Sequence, residues 1–365
     1  MGNFPITVML KPASGQCNMR CAYCFYCDEM ANRRQRSYGI MSESTLENVI
    51  KKTLWETGSE CTIAFQGGEP TLAGLDFFKK AVAFQKMYNS RGVRVHNALQ
   101  TNGWSMTPEW AEFFARHDFL IGVSVDGTRE IHDAYRRDTR GGGTYDRALA
   151  ATRLLDRYGV SYNILTVVHA GTAPAIRAIY RDYRRHGWKW LQFIPCLDPL
   201  AGGQSGEWSL TPAAYGRFLC ELFDLWYADC LRQRQPYIRS FENYVGMLAG
   251  YPPESCDMRG ICGPQYVVEA DGSVYPCDFY MLDEYRLGNL NTENYLRLDK
   301  RRREIGFVDR SRPVPDACRE CPYFSLCRNG CRRQRDESGR TLFCESYRAF
   351  FAHALPRLRA LAPAR

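Results

Sequence analysis

Cys17, Cys21 and Cys24 stand at CxxxCxxC spacing close to the start of the chain. Three thiolates can hold three irons of a four-iron, four-sulfur cube and leave the fourth iron without a protein ligand. Clusters held by four cysteines serve electron transfer or structure. An open metal position is a place for chemistry, as in catalytic against structural zinc. Several zinc patterns share this spacing, so the motif alone leaves both metals open. A second set follows far along the chain: Cys256, Cys262, Cys277, Cys318, Cys321, Cys327, Cys331 and Cys344. Eight thiolates fit two closed clusters, although Cys318-x2-Cys321 would also suit zinc. Cys61, Cys196, Cys220 and Cys230 fall on or beside expected strands and helices and read as small apolar core groups. Cys27, three residues past Cys24, stays open between packing and the cluster.

The rest of the composition favours metal over disulfides. The chain has 365 residues, 16 of them cysteine, and its start shows no secretory signal. Such a count in a reducing compartment points to metal binding, and a cytoplasmic location is expected. No apolar run approaches the ~20 residues of a membrane span. The formal charge is +8 with neutral thiols. One open and two closed clusters would bring about −5, because metal binding deprotonates its ligands. A holoprotein near +3 is weak evidence for nucleic acid, and the arginines at 328, 332, 333 and 335 read as a solvated face or as charge balance for the clusters. A metal-stabilised nucleic-acid binder is therefore the reading disfavoured.

The elements that must position these residues alternate. Strands are expected at 6–12, 61–66, 93–100, 120–125, 160–169 and 188–195, and helices from about 44, at 75–89, 108–117, 145–158, 174–186 and 212–232. Ser44 and Glu47 have the spacing of a capping box. Six β/α units imply a parallel sheet with right-handed crossovers. Six units fall short of a closed eight-stranded barrel, so a partial (β/α)6 TIM-type barrel is expected over residues 1–235. Residues 236–365 form a cysteine-rich region held by metal. Gly67-Gly68-Glu69-Pro70 ends the second strand, on the edge where parallel α/β folds bind ligands.

With these motifs in place the chain resembles the radical S-adenosylmethionine superfamily. The later cysteines resemble its SPASM domain, an iron–sulfur extension carrying two auxiliary clusters. Within the superfamily the resemblance runs over nearly the whole chain to the anaerobic sulfatase-maturating enzymes. It is carried by Leu10-Lys11-Pro12-Ala13-Ser14, Cys24-Phe25-Tyr26, Ala64 to Gly74, Leu99-Gln100-Thr101-Asn102-Gly103, Leu191 to Ile194 with Cys196 to Leu200, and Val274 to Tyr280. The resemblance implies three four-iron clusters and S-adenosylmethionine as cofactors. Cys17, Cys21 and Cys24 would hold the open cluster. Cys256, Cys262, Cys277 and Cys331 would hold the first auxiliary cluster, and Cys318, Cys321, Cys327 and Cys344 the second.

The resemblance also implies site residues. Gly67, Gly68 and Glu69 would hold the cofactor's methionine end, with Asn102, Ser124 and Arg136 near its carboxylate and ribose. Tyr26 and Gln66 would contact substrate. Asp278 would be the base while a Cys or Ser of an unfolded sulfatase polypeptide is oxidised to formylglycine, the auxiliary clusters accepting the second electron. The implied partners are that polypeptide and a reductant such as flavodoxin or ferredoxin, with no membrane, no nucleic acid and a monomeric enzyme. The competing reading is a related enzyme that installs a crosslink or thioether in another ribosomal peptide. Such enzymes often carry an N-terminal leader-binding domain, and with the first cluster cysteine at residue 17 none is expected here. Anaerobically purified protein should contain about twelve irons per chain by metal analysis; zinc alone would exclude the radical chemistry.

Overall fold

The computed structural model describes residues 4–200 and 206–362. In chain order the elements are β1 (Ile6–Leu10), β2 (Met19–Cys21), α1 (Phe25–Ala31), α2 (Glu43–Glu56), β3 (Glu60–Phe65), α3 (Leu75–Tyr88), β4 (Arg94–Thr101), α4 (Pro108–Arg116), β5 (Phe119–Ser124), α5 (Arg129–Tyr135), β6 (Arg136–Asp138) and α6 (Tyr145–Tyr158). They continue as β7 (Tyr162–Val168), α7 (Ile176–Arg185), β8 (Trp190–Pro195), α8 (Pro212–Cys230), β9 (Tyr237–Ile238), α9 (Arg239–Leu248), β10 (Tyr266–Val268), β11 (Ser273–Tyr275), β12 (Gly288–Asn289), α10 (Tyr295–Glu304), α11 (Asp316–Arg319), α12 (Phe324–Cys327) and α13 (Cys344–Leu361). All six expected strands are present. The chain divides into two compact units. One comprises the described part of Met1–Ser124, Arg136–Tyr162 and Pro264–Gly306; the other comprises Val125–Tyr135, the described part of Asn163–Gly263, and Phe307–Arg365 as far as residue 362.

The first unit is built on the strand order β12-β11-β10-β1-β3-β4-β5. β1, β3, β4 and β5 run parallel, and Leu10, Phe65, Leu99 and Ile121 pair across them in one row. That row is buried, and the Phe65 ring sits 5.0–6.4 Å from the rings of Phe77, Phe78 and Phe119. Burying each such side chain stabilises by about 1.5–3 kcal/mol. The residues one step on are Lys11, Gln66, Gln100 and Gly122. The apolar row thus sets the height at which polar groups emerge at the carboxyl ends of the strands. β10 joins β1 in parallel, with Leu10 opposite Val268, and β11 returns antiparallel. A separate two-stranded ladder pairs β2 with β6 and sets Cys21 opposite Arg136.

In the second unit β7, β8 and β9 run parallel, and α8 packs along α13. Phe223, Phe241 and Phe350 form its aromatic centre, with ring centroids 5.4–5.9 Å apart. The cysteine-rich stretch after Phe307 holds two four-residue helices, α11 and α12, before α13 begins at Cys344. Among the described residues no helix is long and apolar enough to cross a membrane.

The start of α2 differs from the capping-box expectation. Its N-cap is Ser42, whose side chain accepts a hydrogen bond from Thr45 N at 3.2 Å. Met41 and Leu46, the hydrophobic-staple positions for that start, are both buried. The staple fixes the entry of the chain two residues earlier than the Ser44–Glu47 spacing suggests. Ser42→Ala is expected to cost about 1 kcal/mol in chemical unfolding. Ser44→Ala, at an exposed helix position, should stay within about 0.5 kcal/mol.

Candidate active site

The first cysteine set lies in the loop that β1 feeds. Met19 N donates to Cys17 Sγ at 3.4 Å. Burial pushes the Cys17 thiol up to about 12, with Glu69, Cys21 and Cys24 adding to the shift. Cys24 moves the other way, to about 6, chiefly through a hydrogen bond from the Cys27 thiol, then through the amides at the start of α1 and the charge of Arg136. Arg136 is buried and directs Nη1 at Cys21 Sγ, 3.9 Å away. Three thiols within electrostatic reach of one another, with a buried cation beside two of them, suit an anionic cluster held by three protein ligands.

The Gly67-Gly68 turn lies against this loop. Gly68 has φ +53, and a Cβ there would come 2.1 Å from Gln16 O. Only glycine permits that approach. Glu69 N donates to the same carbonyl at 2.8 Å. The Glu69 carboxylate is fully buried. It accepts from Thr71 N at 3.1 Å, Thr71 Oγ1 at 2.7 Å, Thr101 Oγ1 at 2.8 Å and Asn102 N at 2.8 Å. Burial raises its pKa against those four bonds. Asn102 in turn donates to Asn18 Oδ1 at 2.8 Å and reaches Cys17 Sγ at 3.8 Å. Gln100 donates to Ser124 Oγ at 3.0 Å, and its side chain fills the space above Gly122, where a Cβ would meet Oε1 at 2.0 Å.

Asp278 stands three residues after β11, one after Cys277. Its Oδ2 accepts from Tyr26 Oη at 2.6 Å and from Gln66 Nε2 at 3.1 Å. Gln66 also donates to Tyr26 Oη at 2.9 Å. On the other oxygen Lys11 Nζ lies 2.6 Å from Oδ1, with the Lys11 side chain 2% exposed and that of Asp278 10%. The same ammonium sits 3.7 Å from the centre of the Tyr26 ring. Burial, reinforced by the Asp278 charge, raises the Tyr26 phenol well above its ordinary value, so it stays a donor. Glu29 lines a small cavity with Lys11, Tyr26, Arg33 and Glu269. Burial pushes Glu29 to about 8, so near neutral pH it mostly carries a proton and leaves Asp278 as the partner of Lys11.

Of the eight later cysteines Cys277 belongs to the first unit, and the other seven, in the second unit, fall into two neighbourhoods. Cys318, Cys321, Cys327 and Cys344 line one cavity of about 170 Å³ with Glu320, Arg340 and Arg348 on its wall. Burial pushes Cys327 to about 12, and Cys344, Cys318 and Cys321 contribute. Cys331 also rises to about 12 by burial, but its thiol neighbours are Cys256 and Cys262. Among the described residues no group of three His, Cys, Asp or Glu side chains could hold a single metal ion. Four cysteines on the lining of one cavity have instead the donor set of a closed cluster.

The Radical SAM superfamily model matches residues 12–181, and a model described as an iron–sulfur cluster-binding domain, SPASM, matches residues 261–322. A cysteine-type anaerobic sulfatase-maturating enzyme of Clostridium novyi is 42% identical over 98% of this chain and 97% of its own. A serine-type enzyme of Bacteroides thetaiotaomicron is 30% identical over 96% of this chain and 90% of its own. The chain belongs to the anaerobic sulfatase-maturating enzyme family. A solved member, native anSMEcpe with bound AdoMet and a Cp18Cys peptide, superposes with a TM-score of 0.93 at 42% identity, covering 98% of this chain and 99% of that one.

Within this family member, the geometry groups Tyr26, Gln66 and Asp278 in one hydrogen-bonded set. A second set links Gly68, Glu69 and Asn102 to the cysteine loop, and Arg136 stands beside the cysteines themselves. Ser124 is reached through Gln100. The reading from residue types passed over Lys11, Gln100 and Glu29. The signal for Lys11 was available: a lysine directly after an apolar strand has to find a buried partner or leave the core. Lys11→Met would strand the Asp278 carboxylate in the interior and is expected to destabilise by about 3–5 kcal/mol in chemical unfolding. Glu29→Gln, which mimics the protonated acid, should cost less than about 1 kcal/mol. A larger cost for Glu29→Gln than for Lys11→Met would refute this charge assignment.

Proposed function

We propose that this chain oxidises a cysteine of an unfolded sulfatase polypeptide at Cβ to formylglycine, with Asp278 as the base. The single observation that carries the base is the triple hold on its carboxylate by Lys11, Tyr26 and Gln66. Relatives named for cysteine are 42% identical and those named for serine 30–31%, which favours cysteine over serine as the target. In this reading residues 1–235 serve the cofactor and supply Lys11, Tyr26 and Gln66 to the substrate site, and residues 236–365 contribute Asp278 and the auxiliary cysteines.

When bound, an open four-iron cluster at Cys17, Cys21 and Cys24 with S-adenosylmethionine supplies a carbon radical able to abstract a hydrogen atom. Around that site the chain provides placement. Gly67 and Gly68 admit a ligand close to the backbone. Glu69 fixes the turn to Asn102 and, with Gly67 and Gly68, would hold the methionine end of the cofactor. Asn102, Ser124 and Arg136 furnish polar groups at the strand ends, and Arg136 also balances charge on the cysteines.

The substrate side depends on proton position. Asp278 takes the thiol proton, which makes the substrate radical a stronger reductant. Lys11 holds Oδ1 of Asp278 in place. Tyr26 and Gln66 orient Oδ2 and contact the peptide. The second electron leaves towards the auxiliary cysteine sets. A one-electron donor of the flavodoxin or ferredoxin kind fits the initiating step.

Mass spectrometry of sulfatase-derived peptides, after anaerobic incubation with reconstituted enzyme, reductant and cofactor, tests this reading. The cysteine peptide should lose two hydrogens and exchange sulfur for oxygen, at least tenfold faster than the serine peptide reacts. A crosslink or thioether with no aldehyde would sink it.

A further inference from the structure

The two auxiliary cysteine neighbourhoods of the second unit share one side chain. Arg335 is half-buried, and its guanidinium spreads over four backbone carbonyls. Nη2 donates to Gly260 O at 2.6 Å and Gly330 O at 3.2 Å, Nη1 to Ser311 O at 2.7 Å, and Nε to Asn329 O at 3.2 Å. Gly260 lies between Cys256 and Cys262, and Asn329 and Gly330 lie between Cys327 and Cys331. Ser311 accepts from Cys262 N at 2.9 Å through its hydroxyl. The loops are in tight register: Gly260 has φ +73, and a Cβ there would come 2.2 Å from Arg328 O. Arg328, Asn329 and Gly330 all have positive φ, +49, +63 and +54, which reverses the chain between Cys327 and Cys331. The fork is thus fastened to the loops of both sets, and a planar five-donor group suits this task where an ammonium would not.

A cation fixed there has an electrostatic consequence. A closed cluster with four thiolates carries about −2 when oxidised, and reduction adds a further negative charge. A nearby positive charge offsets that cost. Resting on the cluster reading above, we infer that Arg335 clamps the two auxiliary cysteine loops together and raises the electron affinity of the clusters they hold. Arg335 would then be a positioning and tuning residue for the step in which the second electron leaves the substrate.

The test is redox titration of full-length reconstituted protein, followed by electron paramagnetic resonance. The first cluster is recognised by its spectral change on adding S-adenosylmethionine. Arg335→Gln should weaken the electron affinity of at least one auxiliary cluster about tenfold, a downward shift of about 59 mV for a one-electron couple. The first cluster should keep its potential, and Arg335→Lys, which retains the charge, should show the smaller shift. Unchanged potentials in an Arg335→Gln protein with full iron would overturn the inference. If Arg335→Gln loses iron, retention of full iron by Arg335→Lys supports a role for the charge. Iron loss in both variants would reduce Arg335 to a structural clamp and overturn the tuning role. Wild-type protein with only about four irons would instead refute the cluster reading beneath it.

Discussion

An ammonium and a carboxylate meet 2.6 Å apart in the interior of the first unit, and the candidate substrate site depends on that pair. Two isolated charges in such a place would be expensive to bury. They are tolerated because each has further partners: Tyr26 and Gln66 on the carboxylate, the Tyr26 ring under the ammonium. Glu29, an acid lining the same small cavity as Lys11, mostly holds a proton near neutral pH. The outcome is a carboxylate of defined orientation, which is what a proton acceptor requires.

The fold makes the pair by register. Leu10, Phe65 and Leu99 form one buried row, so Lys11, Gln66 and Gln100 leave the sheet at one level. The parallel pairing of β10 with β1 carries the chain through β11 to Asp278. Residues far apart in sequence are placed by short ladders rather than by loops of their own. On the cofactor side the buried Glu69 carboxylate plays the matching part, tying the glycine turn to Asn102 and so to the cysteine loop.

Much of this was legible in the residues. Six strands and their helices follow from period and punctuation, and the glycine turn and both cysteine groups follow from spacing. Other parts were hidden for physical reasons. β10, β11 and β12 are three residues long or shorter, too short to show alternation among the cysteines. α1 is seven residues starting directly after Cys24, without a polar cap to announce it. The helix start at Ser42 depended on the buried staple of Met41 and Leu46. Lys11 and Glu29 look like ordinary charged residues until the strands close over them. In the second unit Cys318, Cys321, Cys327 and Cys344 line one cavity and Cys331 has Cys256 and Cys262 as neighbours, a proximity that spacing alone left open.

The central claim is that Asp278 accepts the substrate proton after hydrogen abstraction. It is tested most directly by the ratio of formylglycine to cleaved cofactor in Asp278→Asn, measured anaerobically on a cysteine peptide with iron content matched to wild type. The account predicts cofactor cleavage within a few-fold of wild type and aldehyde lowered about a hundredfold or more. A wild-type ratio of aldehyde to cleaved cofactor in that variant would contradict it.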